Sequence, residues 1–317
     1  MIVHRDLASL RAAGPRRRAV ALGVFDGVHR GHGRILDALA AAAAREDVDE
    51  PLVITFDPHP LAVVRPERAP RLLCTLDERL AALAGRGVES VLVLPFTADL
   101  AATDYARFAR EILVEALGAR FLVAGYDFHL GRRRRGSAED MAVLGETLGF
   151  RVEVVSPCYT DGRVLSSTRI RDDLAAGRLD DVREAMGRPF RVSGPVVRGR
   201  GRGRALGFPT ANLAPPPPEK LLPPAGVYLV AARPGGEFRA GLMNLGWAPT
   251  LKDEWGPEVH LMDWEGDLYG QTLDIDVWQW LRSEERFSDP EALAARIRRD
   301  LDRAREILAS GLLGEGA

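Results

Sequence analysis

Between residues 19 and 155, short apolar runs rich in β-branched residues alternate with stretches of helical periodicity. The runs are Ala19-Val20-Ala21-Leu22, Val53-Ile54-Thr55-Phe56, Val91-Leu92-Val93-Leu94, Phe121-Leu122-Val123-Ala124 and Val152-Glu153-Val154-Val155. Residues 35–45, 76–86, 104–117 and 138–148 read as helices between them. Strands that are apolar throughout must be covered on both faces, and intervening helices supply that cover. The pattern therefore predicts an α/β domain built on a doubly wound parallel sheet. Ligands of such sheets bind beyond the carboxyl ends of the strands. Three polar segments fall at those ends: the turn with His29 and His32, Asp57-Pro58-His59-Pro60, and Gly125-Tyr126-Asp127-Phe128.

The texture changes downstream. Ser166-Ser167-Thr168 is followed by two short helical patterns, 168–176 and 179–186, and then by Gly187-Arg188-Pro189. From there Phe190–Val197, Gly226–Ala232, Ala240–Leu245, Glu258–Trp264 and Leu273–Trp280 read as strands with no helices between them. That predicts a small antiparallel β-barrel. A last helix is expected over 290–309, with Ser288 or Asp289 as N-cap and Pro290 at the first helical position. At 317 residues two domains are expected, 1–186 and 187–317. The tetraproline Pro215–Pro218 reads as a stiff loop.

Composition narrows the function. No apolar run approaches the ~20 residues that cross a bilayer. The N-terminal stretch with Arg5, Asp6 and Arg11 has no apolar core, so no secretory signal is expected. Cys74 and Cys158 are far apart and in no metal-ligand spacing, which argues against a disulfide framework or zinc site and for a cytoplasmic setting. A net charge of −2 argues against a nucleic-acid-coating surface. Lys220 and Lys252 are the only lysines, and neither stands in a Walker P-loop or a Schiff-base setting. Phosphate must then be held by Arg, His, backbone N–H groups or a metal.

The segment Gly23-Val24-Phe25-Asp26-Gly27-Val28-His29-Arg30-Gly31-His32 joins the first strand to its helix. A helix start offers unpaired N–H groups and the positive end of the dipole, a setting for phosphate. Two imidazoles there can donate hydrogen bonds to a phosphoryl group as it gains charge. A lone histidine is more often a surface or satisfied core residue; the pair in this turn points to catalysis. The segment resembles the HxGH nucleotidyltransferases, and in full length it resembles the bacterial bifunctional riboflavin kinase/FMN adenylyltransferases, or FAD synthetases. TFDPHP at 55–60, GYDFHLG at 125–131, the charged RRRRGSAEDM after it and SSTRIR at 166–171 match that family in chain order. The resemblance implies that His29 and His32 act on the phosphates of ATP, with Gly23, Phe25, Asp26, Gly31, Ser167, Thr168 and Arg171 also binding ATP. It places Asp127 near flavin or nucleotide. The implied reaction is attack of an FMN phosphate oxygen on the α-phosphorus of ATP, assisted by Mg2+. For His59 the plainer reading is that DPHP shapes its loop. Arg132–Arg135 departs from the family; a solvated basic loop is the first reading, contact with an anionic ligand the second, and RNA the last.

In the second half, Gly199-Arg200-Gly201-Arg202-Gly203-Arg204 leads into Leu206-Gly207-Phe208-Pro209-Thr210-Ala211-Asn212. Alone, the glycine–arginine alternation could mimic an RNA-binding tract, but β-rich sequence flanks it on both sides. The segment resembles the riboflavin kinase module of the same family. The resemblance implies that Thr210 and Asn212 hold Mg2+ and ATP phosphates, with Gly203 beside them. Asn244-Leu245-Gly246, Ala248-Pro249-Thr250 and Glu258-Val259-His260-Leu261-Met262-Asp263 match further motifs, which makes Glu258 the implied general base toward the riboflavin 5′-hydroxyl. Tyr269-Gly270 and Leu281–Phe287 complete the pattern, with Arg282 and Phe287 bordering the flavin. Leu251 stands where Phe is usual, and the Thr250–Glu258 loop is short for the family.

The expectation is a cytoplasmic enzyme that phosphorylates riboflavin to FMN and adenylylates FMN to FAD. ATP is its co-substrate and Mg2+ its cofactor; riboflavin, FMN and ATP are its small-molecule partners. No nucleic acid, no membrane, and a monomer or weak homo-oligomer are expected. The alternative is that one module alone is active. An RNA-binding protein is disfavoured by the near-neutral charge and the lack of a stacking-aromatic motif, and a nucleotidyltransferase for another acceptor leaves the barrel unexplained.

Overall fold

A computed structural model describes residues 1–12, 14, 16–45, 47–199, 201–247 and 255–311. The chain forms two compact units, Met1–Ser167 and Thr168–Ala317. The sequence motif residues Ala248, Pro249, Thr250 and Leu251, together with Arg200 and Lys252, lie outside the described residues.

The first unit is a parallel sheet of six strands: β1 (Ile2–His4), β2 (Arg18–Leu22), β3 (Glu50–Asp57), β4 (Ser90–Pro95), β5 (Ala119–Gly125) and β6 (Arg151–Val155), in the order β1-β4-β3-β2-β5-β6. Each expected strand is present, and the edge strand β1 is one that the apolar pattern did not reveal. Its Ile2 and Val3 are exposed, so it has no buried face to leave a hydrophobic signature. Alternate residues of the inner strands enter opposite cores, as a pleat requires. Val20, Leu22, Leu52, Ile54, Leu92 and Leu122 pack with Phe108, Leu113 and Met141 on one face. Ala19, Ala21, Val53, Val91, Val93 and Val123 pack with Leu36, Leu39 and Leu83 on the other. The helices that supply these side chains include α1 (Arg30–Ala43), α2 (Leu76–Ala84) and α3 (Ala138–Leu148). The doubly wound sheet is thus observed, and its strand order reverses between β2 and β5, where ligands of such sheets lodge.

In the second unit, α4 (Ser167–Ala175, whose first residue belongs to the other unit) and α5 (Leu179–Met186) precede the barrel. The barrel strands are β7 (Phe190–Val197), β8 (Ala211–Leu213), β9 (Gly226–Ala232), β10 (Arg239–Trp247), β11 (Trp255–Leu261) and β12 (Thr272–Arg282). They close in the order β7-β8-β11-β10-β9-β12, antiparallel throughout. β11 begins three residues before the expected Glu258 and ends before Trp264, while β8 is too short to show periodicity. The helix α6 (Pro290–Ala309) has the expected bounds: Asp289 is its N-cap and accepts from the N–H of Ala292 at 2.7 Å, with Pro290 next. Leu301, Ala304 and Ile307 of α6 cover Val227, Leu229 and Leu242 of the barrel. Val182, Ala185 and Met186 of α5 are buried, and α5 packs on β7 and β12.

Candidate active sites

His29 and His32 open α1 together. His29 is the N-cap, and its Nδ1 accepts the backbone N–H of His32 at 3.3 Å; His32 Nδ1 in return accepts the N–H of His29 at 3.3 Å. This is a capping box in which imidazoles take the roles usually held by Ser and Glu. Both Nδ1 atoms accept, so in each neutral ring the proton resides on Nε2 and makes that atom a donor. The rings stack with centroids 3.7 Å apart and planes 16° apart. His29 is buried and His32 half-buried, with Phe25 tilted against His32 at 5.2 Å.

The flanking residues of the motif hold this pair in place. A Cβ on Gly31 would stand 3.1 Å from the His29 ring, so glycine is what lets the imidazole fold back over the first turn. Phe25 has φ +54° and lies in the core with its side chain buried. A Cβ on Gly23 would meet that ring at 3.2 Å. Asp26 is turned inward: its carboxylate accepts the backbone N–H groups of Leu73 at 3.1 Å and Cys74 at 3.2 Å. The N–H of Gly27 meets Cys74 Sγ at 3.1 Å. Two oxygens therefore satisfy buried amides of a distant segment and clamp the turn. Ser167 Oγ donates to the Asp26 carbonyl at 2.9 Å, which brings the start of SSTRIR onto the same turn. Thr168 and Arg171 follow on α4, Thr168 exposed and Arg171 half-buried, and count with the second unit.

Two further groups support the corner, one of them outside every motif. Arg79 is fully buried and donates to Thr55 Oγ1 at 3.0 Å and the Phe56 carbonyl at 2.8 Å. The Thr55 hydroxyl donates in turn to the Val24 carbonyl at 2.9 Å, so the threonine of TFDPHP ties β3 to the histidine turn. A buried arginine in an otherwise ordinary helical pattern gives no hint of this duty. His59 caps the short helix Pro60–Val64, accepting from Leu61 at 3.1 Å, in keeping with a loop-shaping role. Asp127 is exposed just past β5. Arg132–Arg135 are all exposed; Arg133 and Arg134 have φ +57°, and Arg134 reaches His129 Nδ1 at 3.3 Å.

The barrel assembles a second polar site. In register across four strands stand Asn212, Glu258, Asn244 and Val227, followed by Arg282 of β12. Cross-strand partners share a face. Val227 lies in the cluster beneath α6, so Asn212, Glu258 and Asn244 stand on the barrel face that carries that helix. Thr210 Oγ1 donates to Glu258 Oε1 at 2.6 Å. With its proton committed there, the threonine oxygen keeps lone pairs for a cation. The Gly-Arg loop bends over these groups: a Cβ on Gly199 would collide with the Asn212 amide, and one on Gly203 would stand 2.8 Å from Thr210 Oγ1. A Cβ on Gly246 would overlap the Glu284 carboxylate, which places the Leu281–Phe287 segment against Asn244-Leu245-Gly246. Asn244, of the Asn244-Leu245-Gly246 motif, stands directly across from Glu258 in the barrel.

Arg282 is engaged within the protein. Its Nε and Nη2 meet Asp300 Oδ2 of α6 at 2.9 and 2.8 Å, and its guanidinium lies 6.0 Å from the Phe287 ring. It anchors the segment that Phe287 belongs to. Among the described residues there is no cluster of three His, Cys, Asp or Glu able to hold a metal. Thr210, Asn212 and Glu258 offer hydroxyl, amide and carboxylate oxygens, a donor set that together with phosphates suits magnesium.

The family model of FAD synthetase matches residues 12–169, and that of riboflavin kinase matches residues 186–308. A Pseudomonas fluorescens protein named bifunctional riboflavin kinase/FMN adenylyltransferase is 39% identical over 98% of this chain and 98% of its own length. The Escherichia coli K12 protein of the same name is 35% identical, over 96% of this chain and 97% of its own. A solved Streptococcus pneumoniae structure, described as a macrolide-efflux protein, superposes with a TM-score of 0.83 at 27% identity, covering 96% of this chain and 98% of its own. Among the described residues of the present chain, no helix is long and apolar enough to cross a membrane. Both halves, in order and over nearly their full length, place this chain in the family of bifunctional riboflavin kinase/FMN adenylyltransferases.

Proposed function

We propose that the His29/His32 corner is the seat of adenylyl transfer and the Thr210–Asn212–Glu258 group the seat of riboflavin phosphorylation. The chain itself is a transferase with two activities: it phosphorylates riboflavin to FMN with ATP, and it adenylylates FMN to FAD with a second ATP. The observation that carries the assignment of residues is the reciprocal imidazole cap, which holds two Nε2 donors side by side at a helix N-terminus. In the first reaction the riboflavin 5′-oxygen bonds to the γ-phosphorus, Glu258 takes the hydroxyl proton, and the bond to ADP breaks. In the second an FMN phosphate oxygen bonds to the α-phosphorus and pyrophosphate leaves. That nucleophile is already anionic and needs no base, so the imidazole donors serve by matching the charge that develops on the phosphoryl oxygens.

Gly23, Phe25, Asp26 and Gly31 act here by shaping the turn, while Ser167, Thr168 and Arg171 face the ATP phosphates. Asp127, Arg282 and Phe287 border the flavins, Arg282 by holding its segment. Magnesium would be held by Thr210 and Asn212, with Gly203 leaving room for them, and would supply neutralisation of phosphate charge. The functional boundary lies near residue 187, because all the kinase chemistry falls after it. A cytoplasmic monomer or weak homo-oligomer free of nucleic acid and membrane completes the reading; the two free thiols, Cys74 and Cys158, suit a reducing compartment.

The test is incubation with riboflavin, ATP and Mg2+, followed by chromatography. FMN should appear first and FAD after it, and chelation of Mg2+ should stop both. Flavin turnover that persists without a divalent cation would remove Thr210 and Asn212 from their metal-binding role.

A further inference from the structure

The segment Pro209-Thr210-Ala211-Asn212 is tied to the barrel by a side chain where the sheet cannot hold it. The pairing of β8 with β11 begins at Ala211, across from Val259, and continues with Asn212 across from Glu258. Carried one residue back, the same register sets Thr210 across from His260. Pro209, just before it, has no N–H to offer a ladder. Its carbonyl is met by His260 instead, with Nδ1 at 2.8 Å. A carbonyl oxygen only accepts, so Nδ1 carries the proton and donates.

The imidazole is itself held for this bond. Residues two apart on a strand share a face, so His260 stands beside Glu258 on β11. Its partner across on β10 is Leu242, buried in the cluster beneath α6. The Phe208 ring meets the imidazole edge-on, with centroids 5.8 Å apart and planes at 89°. Phe208 packs against the same cluster, and Arg298 of α6 lies 5.8 Å from its ring. Packing as well as a hydrogen bond therefore fixes His260. Thr210 is gripped twice as a result. Its hydroxyl donates to Glu258 Oε1 at 2.6 Å, and the peptide that joins it to Pro209 is held by His260.

We propose that His260 is a positioning residue for riboflavin phosphorylation, holding the Pro209–Thr210 peptide so that the Thr210 hydroxyl fixes the Glu258 carboxylate. This rests on the reading that Thr210 and Glu258 belong to the kinase site. The loop before Thr210 contains Gly201, Gly203 and Gly207. Glycine gives a chain its widest conformational range, so this loop has little stiffness of its own and needs an outside tie. A general base acts only within hydrogen-bond reach of the proton it takes, which makes the direction of the Glu258 carboxylate decisive. His260 acts through Thr210 and Glu258.

The test compares His260→Leu and His260→Asn with the wild-type full chain. Leucine keeps bulk against Phe208 and Leu242 but removes the donor; the asparagine amide nitrogen takes the place of Nδ1 and keeps it. Near-UV circular dichroism reports folding of the barrel unit, because all five tryptophans fall within Thr168–Ala317. Should the leucine variant lose that signal, His260→Ala takes its place. The leucine variant should lower kcat for riboflavin phosphorylation about tenfold or more, with KM for riboflavin within about twofold. The asparagine variant should return kcat to within about threefold of wild type, and FAD formation from FMN should be unchanged in both. In 15N spectra of the neutral imidazole the His260 proton should reside on Nδ1. A wild-type kcat in the leucine variant, an asparagine variant equally impaired, an equal loss of FAD formation, or a proton on Nε2 each overturns the proposal. Full activity in His260→Leu beside an inactive Glu258→Ala removes the positioning role alone. Riboflavin phosphorylation that survives Glu258→Ala overturns the reading of the site and the proposal with it.

Discussion

Gly31 stands between the two histidines because the His29 ring occupies the space its side chain would need. A Gly31→Ala methyl would sit 3.1 Å from that ring and force either the ring or the turn to shift. Positioning of reacting groups is sensitive to such shifts, and misplacement of about 1 Å costs on the order of 100-fold in rate. Gly31→Ala should therefore cut kcat for FAD formation by about tenfold or more with little change in melting temperature, which steady-state kinetics and calorimetry would check. Asp26 has a different sensitivity. Asp26→Ala strips acceptors from the buried N–H groups of Leu73 and Cys74, a loss of about 1–3 kcal/mol for each unsatisfied group. It should lower stability in denaturant as well as FAD formation, whereas a residue that only touched ATP would affect activity alone. The motif made His29, His32 and Glu258 legible as chemistry. It could not show that Asp26 faces inward or that Arg282 is spoken for, because motif letters carry no side-chain direction. Arg79 left no trace at all, since a buried arginine in a helix has the same periodic signature as an exposed one.

At the scale of elements, the Arg282–Asp300 pair links the last barrel strand to the C-terminal helix. Both side chains are nearly buried, 11% and 6% exposed, so removing one partner strands the other charge. Asp300→Ala should cost about 3–5 kcal/mol in a urea titration. It should also weaken riboflavin binding through release of the Phe287 segment. The helix caps set an acid limit. The Ser288 hydroxyl and then the Ala292 N–H hold the Asp289 carboxyl below its usual range; the Ser137 N–H and then its hydroxyl do the same for Asp140. A carboxyl lowered in the folded state stabilises it above the unfolded value near pH ~3.9 and loses that contribution as pH falls through the folded value. Helical circular dichroism should therefore fall below about pH 4, and Asp289→Asn should lose less of it there, because its cap carries no proton-linked charge. The element pattern was readable where strands are apolar throughout and failed at the exposed edge strand and at the short or irregular barrel strands. Helix 290–309 was marked at its start by Asp289 and Pro290. β1 and β8 were hidden, one by exposure and the other by having three residues, and β11 begins with Trp255-Gly256-Pro257, where glycine and proline give no strand period.

For the whole molecule, the two halves carry separate chemistry. A fragment beginning at residue 187 holds every residue proposed for the kinase site but lacks α5, whose Val182, Ala185 and Met186 are buried and which packs on β7 and β12. Fragments 168–317 and 187–317 should both phosphorylate riboflavin, and the longer should melt at the higher temperature. Loss of activity in both would mean that the kinase site needs residues from the first half. The central claim is that each reaction has its own set of residues, one at the imidazole cap and one around Glu258. Its most direct test is a pair of single-residue variants given separate substrates. His29→Ala supplied with riboflavin and ATP should accumulate FMN without FAD, a loss of at least about 100-fold in the second step. Glu258→Ala supplied with FMN and ATP should form FAD at an undiminished rate while failing to phosphorylate riboflavin. Loss of both activities from either substitution, in protein that remains folded, would contradict the account.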